Sequence, residues 1–315
     1  MTLRVGVVGV GALGRHHARV YASLPGAELA AVYDTDAERC RRVAGELGTR
    51  AAASLDELAD AVEAVSVAVP TESHAAVTRA LLARGRDVLV EKPIAPTLEA
   101  ADSMLESARE HGRILQVGHI ERFNPALDAI RDLGVAPRFV EVHRLGSFSP
   151  RSLDIDVVLD LMIHDLDIVL SLDASDVEQV DAVGVPVLTS RVDIANARLR
   201  LASGLIANLT ASRVSAEKVR KFRIFAPRTY VSMDFGDREA LIYRLVDGAG
   251  GAPTIDVQRR SGPDQEPLRR QLEAFLQAVR ERSPPRVDGA QGRRALEFAL
   301  EVAERIRAHA ESSRT

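Results

Sequence analysis

The chain has 315 residues, 46% of them hydrophobic and 27% charged; this is enough for two domains with ordinary cores and argues against a disordered chain. The formal net charge is −4, from 41 basic and 45 acidic residues, which argues against a general nucleic-acid or polyanion binder. No apolar run reaches the ~20 residues that span a bilayer, and the single cysteine, Cys40, excludes an intrachain disulfide.

Residues 3–8 form a short apolar run, followed by Gly9-Val10-Gly11-Ala12-Leu13-Gly14 and a helical stretch to about Leu24. The opening segment is broken by glycines and lacks a basic n-region and a small-residue cleavage site. It therefore reads as strand plus loop, and the cytoplasm is the expected compartment. Ala27 to Tyr33 is a second apolar run ending at Asp34, and a helix is expected at 36–47. Ser54-Leu55-Asp56-Glu57 reads as a capping box opening a short helix. Strands at 64–69, 87–90 and 114–117 alternate with helices at 72–84 and 98–111. Such alternation is the signature of a parallel sheet covered on both faces.

The glycine motif follows a strand and opens a helix, as phosphate binding requires. Gly9 permits the tight turn, Gly11 lets the backbone approach a pyrophosphate, and Gly14 lets helix and strand pack closely. Asp34 lies at the end of the second strand, where a carboxylate holds a ribose 2′-hydroxyl. The pattern predicts an N-terminal Rossmann domain, a doubly wound parallel sheet, over 1–122. The carboxylate at 34 repels a 2′-phosphate, so NAD is expected in preference to NADP, although Arg39 lies one turn into the next helix.

The strand at 87–90 runs into Glu91-Lys92-Pro93, which delivers Lys92 to the carboxyl edge of the sheet, where ligands collect. Only three of the 41 basic residues are lysines: Lys92, Lys218 and Lys221. A lysine retained in so arginine-rich a chain suggests a position that an arginine would not serve, since lysine can give up its proton when buried. Further on, Asp160 and His164 stand four apart in an apolar stretch read as a buried helix over 157–170. A carboxylate beside an imidazole holds the ring and favours its charged form, and such a pair can move a proton to or from a hydroxyl. A structural Asp–His hydrogen bond is the alternative. No metal site is expected, because no ligand cluster has suitable spacing.

Asn124-Pro125 marks the expected change of domain. A short helix to about Leu133, a strand at 138–145 and, after the 157–170 helix, strands at 177–187, 191–202, 205–213, 219–226, 229–235 and 239–246 follow. Helices at 266–282 and 290–310 close the chain. Residues 123–315 are thus expected to form an α+β domain with a mostly antiparallel, open-faced sheet. The open face needs cover, and a second subunit is the expected cover, giving a homodimer or homotetramer. Arg213, Lys218, Arg220, Lys221 and Arg223 form a basic run suited either to diphosphate oxygens or to a solvated hairpin or subunit contact. His16 and His17, on the first helix, are expected to pack or cap.

The Gly9–Gly14 motif, Glu91-Lys92-Pro93 and the Asp160/His164 pair together resemble the glucose–fructose oxidoreductase/inositol dehydrogenase (Gfo/Idh/MocA) family of sugar dehydrogenases. The resemblance implies a catalytic group of Lys92, Asp160 and His164. It implies a cofactor edge of Gly9, Gly11, Ala12, Leu13, Gly14, Asp34, Pro70, His74, Glu91 and Lys92. Substrate contacts are expected from Arg122, Asn124, Arg151 and His164. The family often has glycines shortly before the aspartate; here the stretch is Asp156-Val157-Val158-Leu159, so the pocket wall is expected to differ. Residues 117–125, 160–167 and 211–221 further resemble nucleotide-sugar 3-dehydrogenases of lipid A precursor assembly, which oxidise the 3-hydroxyl of UDP-N-acetylglucosamine. The expected activity is NAD-dependent oxidation of a sugar ring hydroxyl, with the nicotinamide in a cleft between the domains. A dehydrogenase of a free polyol or aldose is one alternative, and a non-catalytic NAD-binding regulator is another. The expected partner is a small sugar or nucleotide sugar, with neither nucleic acid nor membrane.

Overall fold

A computed structural model describes residues 2–148, 155–248 and 252–312. The chain divides into two compact units, residues 1–120 with 265–296 and residues 121–264 with 297–315.

In the first unit, strands β1 (Leu3–Val8), β2 (Ala27–Tyr33), β3 (Arg50–Ala51), β4 (Ala64–Val67), β5 (Asp87–Glu91) and β6 (Leu115–Gly118) form one sheet in the order β3-β2-β1-β4-β5-β6. All its pairings are parallel. Helices α1 (Gly14–Ser23), α2 (Ala37–Leu47), α3 (Leu55–Ala61), α4 (Thr71–Ala83) and α5 (Leu98–Glu110) alternate with the strands. The order reverses beside β1, which places the β1 and β4 ends at a switch point where ligands bind. β4 and β5 are buried along their length, as expected of central strands covered on both faces. The capping box at Ser54 forms with a shifted return bond: Ser54 accepts the Glu57 N–H, and the Glu57 carboxylate accepts the N–H of Ala53.

Helix α8 (Pro267–Glu281) belongs to this unit, whereas the sequence reading groups all of 123–315 together. Its apolar stripe explains the membership. Leu268, Leu272, Phe275 and Leu276 join the core formed by Val5, Val7, Val20 and Tyr21. Each such buried side chain contributes roughly 1.5–3 kcal/mol, and an Arg19–Glu266 ion pair ties α1 to the residue before α8.

In the second unit, β7 (Phe139–Leu145), β8 (Val177–Val185), β9 (Ile194–Leu201), β10 (Ile206–Ser212), β11 (Val219–Ala226), β12 (Thr229–Asp234), β13 (Glu239–Asp247) and β14 (Pro253–Ser261) form an eight-stranded sheet in the order β14-β13-β12-β11-β7-β10-β9-β8. Only β7 and β10 pair in parallel. The short α6 (Pro125–Asp128) and α7 (Ile163–Leu172) belong to this unit, and α9 (Gly289–Ser312) ends in it. Strands alternate cleanly: Val140, Val142, Phe222, Ile224, Val231 and Met233 are buried on one face. The other face carries an aromatic row across β7, β11, β12 and β13, with ring centroids 5.5 Å apart for Phe139–Phe225, 4.9 Å for Phe225–Tyr230 and 5.4 Å for Tyr230–Tyr243.

Candidate active site

The carboxyl ends of the first sheet converge on one edge. Gly9 has φ +82°, and a Cβ there would lie 2.7 Å from the Ala68 carbonyl oxygen. A Cβ on Gly14 would overlap the Gly9 carbonyl oxygen, whereas one on Gly11 would meet nothing within 4 Å. The turn is thus closed on the protein side and open on the other. Helix α1 begins at Gly14 with no side-chain cap, and Leu13 is 56% exposed beside it. Uncapped N–H groups next to open backbone make a cradle for a diphosphate, so these residues fit a dinucleotide.

Asp34, buried at the end of β2, accepts the N–H groups of Val10 at 2.8 Å and Asp36 at 2.9 Å. Burial works against its charge. The Arg39 guanidinium and these N–H groups outweigh burial and hold the carboxyl below the usual carboxylate range.

At the ends of β4 and β5, Pro70 is exposed and Lys92 is half-buried, and the Lys92–Pro93 peptide bond is cis. His74 reaches both loops: its ring nitrogens lie 2.9 Å from the Pro93 oxygen and 3.0 Å from the Val69 oxygen. Burial disfavours the charged ring more than these carbonyls and Glu91 favour it, so His74 titrates below the ordinary histidine range. Glu91 is buried, with His17 Nε2 3.1 Å from its Oε1. Burial would raise its pKa, but the hydrogen bond and charge of His17, followed by Lys92, bring it below its ordinary value. The sequence offered no pattern for the His17–Glu91 pair, because the two residues stand on separate elements.

In the second unit, Asp160 lies in a π-helical turn over Val158–Met162, and His164 in the first turn of α7. The apolar pattern predicts a helix over 157–170; a π-turn takes the place of its first part, and such turns recur at functional sites. Both residues are half-buried, and the neighbouring Val158, Met162 and Ile163 in the sequence are fully buried.

Ion pairs brace α7. Arg144 on β7 donates to both oxygens of Asp165, at 2.8 and 2.7 Å, and to Glu121 at 2.8 Å. Burial opposes the Arg144 charge, but the two carboxylates outweigh it and hold the guanidinium protonated. Arg122 pairs with Asp167 at 3.3 Å. Asn124 caps α6 by accepting the Ala126 N–H, and its amide donates to Glu121 and to the Phe235 carbonyl.

Arg151 lies outside the described residues. The basic run at 213–223 resolves largely into internal pairs: Arg213 with Asp193, Lys221 with Asp234, and Arg223 with Glu141. Among the described residues, no group of three or more His, Cys, Asp or Glu side chains could hold a metal ion, and no helix is long and apolar enough to cross a membrane.

Comparison with known proteins bears on the family and the fold. A family model described as "Oxidoreductase family, NAD-binding Rossmann fold" matches residues 3–119, and one described as "GFO/IDH/MocA C-terminal domain" matches residues 139–231. UDP-N-acetylglucosamine 3-dehydrogenase of Acidithiobacillus ferrooxidans is 44% identical over 304 residues, 95% of this chain and 96% of that protein. A solved structure of that enzyme aligns with a TM-score of 0.92 and 41% identity, covering 98% of this chain and 99% of that one. Inositol 2-dehydrogenase of Rubrobacter xylanophilus is 32% identical over 227 residues, 68% of this chain and 65% of that protein. The chain belongs to the GFO/IDH/MocA family of oxidoreductases, with an NAD-binding Rossmann fold in its first unit.

Proposed function

We propose that this chain is an NAD-dependent dehydrogenase that oxidises a ring hydroxyl of a nucleotide sugar, the 3-hydroxyl of UDP-N-acetylglucosamine. The extent of the likeness carries this reading. In sequence, the alignment to the Acidithiobacillus enzyme runs through 95% of the chain at 44% identity, whereas seven alignments to inositol dehydrogenases cover between 53% and 68% of it at 32–37% identity. A ketone at carbon 3 is what an amine donor needs, which suits a step in lipid A precursor assembly in the cytoplasm.

The cofactor edge supports NAD over NADP, because the Asp34 carboxylate suits a ribose 2′-hydroxyl and repels a 2′-phosphate. Bound NAD supplies a hydride acceptor. Lys92 donates a hydrogen bond to the reacting hydroxyl and stabilises negative charge growing on its oxygen. His164 or Lys92 takes the hydroxyl proton, and Asp160 orients His164 and favours its charged form. Arg122 and Arg151 are the candidates for direct substrate contact, with Asn124 fixing the chain beside Arg122.

The aromatic row on the outer face of the second sheet supports burial against a second copy of the chain, giving a homodimer or homotetramer. Light scattering of the purified protein and of Tyr230→Arg tests this, with loss of the assembly expected in the variant.

NADH formation measured with UDP-N-acetylglucosamine, free aldoses and inositols tests the function. Turnover is expected with the nucleotide sugar, and Lys92→Ala and His164→Ala should abolish it with NAD binding nearly intact. Turnover confined to an inositol would replace the proposed substrate. Unchanged rates in both variants would remove the mechanism.

A further inference from the structure

We infer that His17 is a positioning residue for Lys92: by holding the Glu91 carboxylate it fixes the backbone that carries the lysine side chain. The inference rests on the reading of Lys92 given above.

His17 is the third residue after Gly14, and only 2% of its surface is exposed. Its Nδ1 is buried without a hydrogen-bond partner, so among the described residues the contact with Glu91 is the ring's polar anchor. Burying an imidazole with one nitrogen unsatisfied is costly. A position that served packing alone would be better filled by a leucine.

The carboxylate is held from two directions and closely backed on a third. His17 Nε2 lies 3.1 Å from Oε1 on the α1 side. The N–H of Lys92 points to Oε2 at 3.4 Å. On the β6 side the neighbour is Gly118, where a Cβ would come within 2.5 Å of Oε1 and 3.0 Å of Oε2. The carboxylate therefore occupies the space that any side chain at 118 would take. Helix α1 also carries the glycine turn at its N-terminus, so the pair joins the helix that faces the diphosphate to the strand end that carries the lysine.

The charged and titratable groups acting with Glu91 are His17 from α1, Lys92 just past the end of β5 and His74 from α4; β6 brings no charge at Gly118. Without His17, a buried carboxylate would be left with less support for its charge. It would take up a proton at higher pH and release its hold on the Lys92 backbone.

The test uses His17→Leu, which removes the donor, and His17→Gln, whose amide nitrogen can reach the place of Nε2. Steady-state rates with NAD and UDP-N-acetylglucosamine are measured across pH, beside the NAD dissociation constant and a Lys92→Ala reference. His17→Leu is expected to lower kcat by about tenfold to a hundredfold, the size of effect seen when a reacting group is misplaced. NAD affinity should stay nearly unchanged, and the acid limb of the kcat profile should move to higher pH. His17→Gln should recover most of the rate and return the acid limb. Should His17→Leu fail to fold, Gly118→Ala displaces the same carboxylate from its other side and should give the same signature.

A folded His17→Leu with the original kcat and pH profile would overturn the inference, as would equal losses in Leu and Gln. Full activity in Lys92→Ala would overturn the reading of Lys92 itself. Loss in Lys92→Ala with none in His17→Leu would overturn only the role of His17.

Discussion

Arg39 grips Asp34 at two points: Nε donates to Oδ2 at 3.0 Å and Nη2 donates to Oδ1 at 2.7 Å. The carboxylate at the end of β2, which the proposed cofactor reading sets against a ribose, therefore has a guanidinium beside it. Removing the carboxylate removes the repulsion of a 2′-phosphate and leaves Arg39 able to pair with one. Asp34→Asn is expected to raise the ratio of kcat/KM for NADP to that for NAD by about tenfold or more, a change worth ~1.4 kcal/mol. Asp34→Asn with Arg39→Ala should lose most of that gain. An unchanged ratio in Asp34→Asn would remove Asp34 from cofactor choice.

Two glycines of the turn are expected to respond differently to a methyl group. At Gly14 a methyl group collides with the Gly9 carbonyl, and at Gly11 it enters open space. Gly14→Ala should destabilise the protein by about 1–3 kcal/mol, as overpacked sites do, and also weaken NAD binding. Gly11→Ala should leave thermal unfolding near its original midpoint and weaken NAD binding alone. Equal NAD affinity in Gly11→Ala would show that the diphosphate does not approach this turn.

Asp193 gives the second unit an acid-sensitive brace. The side chain is fully buried and accepts from Arg213 Nε at 2.8 Å, from the Thr189 hydroxyl at 2.7 Å and from the N–H groups of Val187, Leu188 and Thr189. Burial pushes its pKa up, but Arg213, Thr189 and the backbone donors outweigh burial and hold it far below the usual range. A carboxyl depressed in the folded state adds stability that is present above its unfolded pKa and lost as pH falls towards its folded one. Asp193→Asn should destabilise the protein at neutral pH by about 3–5 kcal/mol, since it removes the buried negative charge that Arg213 Nε meets at 2.8 Å. It should also flatten the fall in stability below about pH 4. An equally steep fall in the variant would place the acid sensitivity elsewhere.

Arg144→Met leaves Asp165 and Glu121 facing each other without their shared cation. Loss of one member of a buried ion cluster costs about 3–5 kcal/mol, and a matching drop in unfolding free energy is expected by denaturant titration. Because Asp165 adjoins His164, kcat should fall as well. A variant with unchanged stability would show that the cluster is dispensable.

The sequence carried the first sheet well because its signals are local. Helix starts, glycine stops and apolar runs put α2, α4, α5 and β5 within about two residues of their observed ends. Two strands escaped it. β3 has two residues, too few for any alternation, and β14 is an edge strand whose Ile255 and Val257 remain exposed, so no buried face marks it. The π-turn around Asp160 also escaped, since a turn of five residues leaves the apolar pattern unchanged. Gly9 to Gly14, Asp34 and Lys92 could be read from their places at strand ends. His17 with Glu91 and Arg144 with Asp165 could not, because burial and long-range pairing create those contacts and no spacing encodes them. The basic run at 213–223 shows the converse: it stands out in the sequence, and most of it pairs internally.

The most direct measurement follows a deuterium label. UDP-N-acetylglucosamine deuterated at carbon 3 of its amino sugar is turned over with NAD, and the NADH is examined by mass spectrometry. Deuterated NADH, formed more slowly than the unlabelled product, is the expected result. Unlabelled NADH from that substrate, or no turnover at any concentration of it, would contradict oxidation at the 3-hydroxyl.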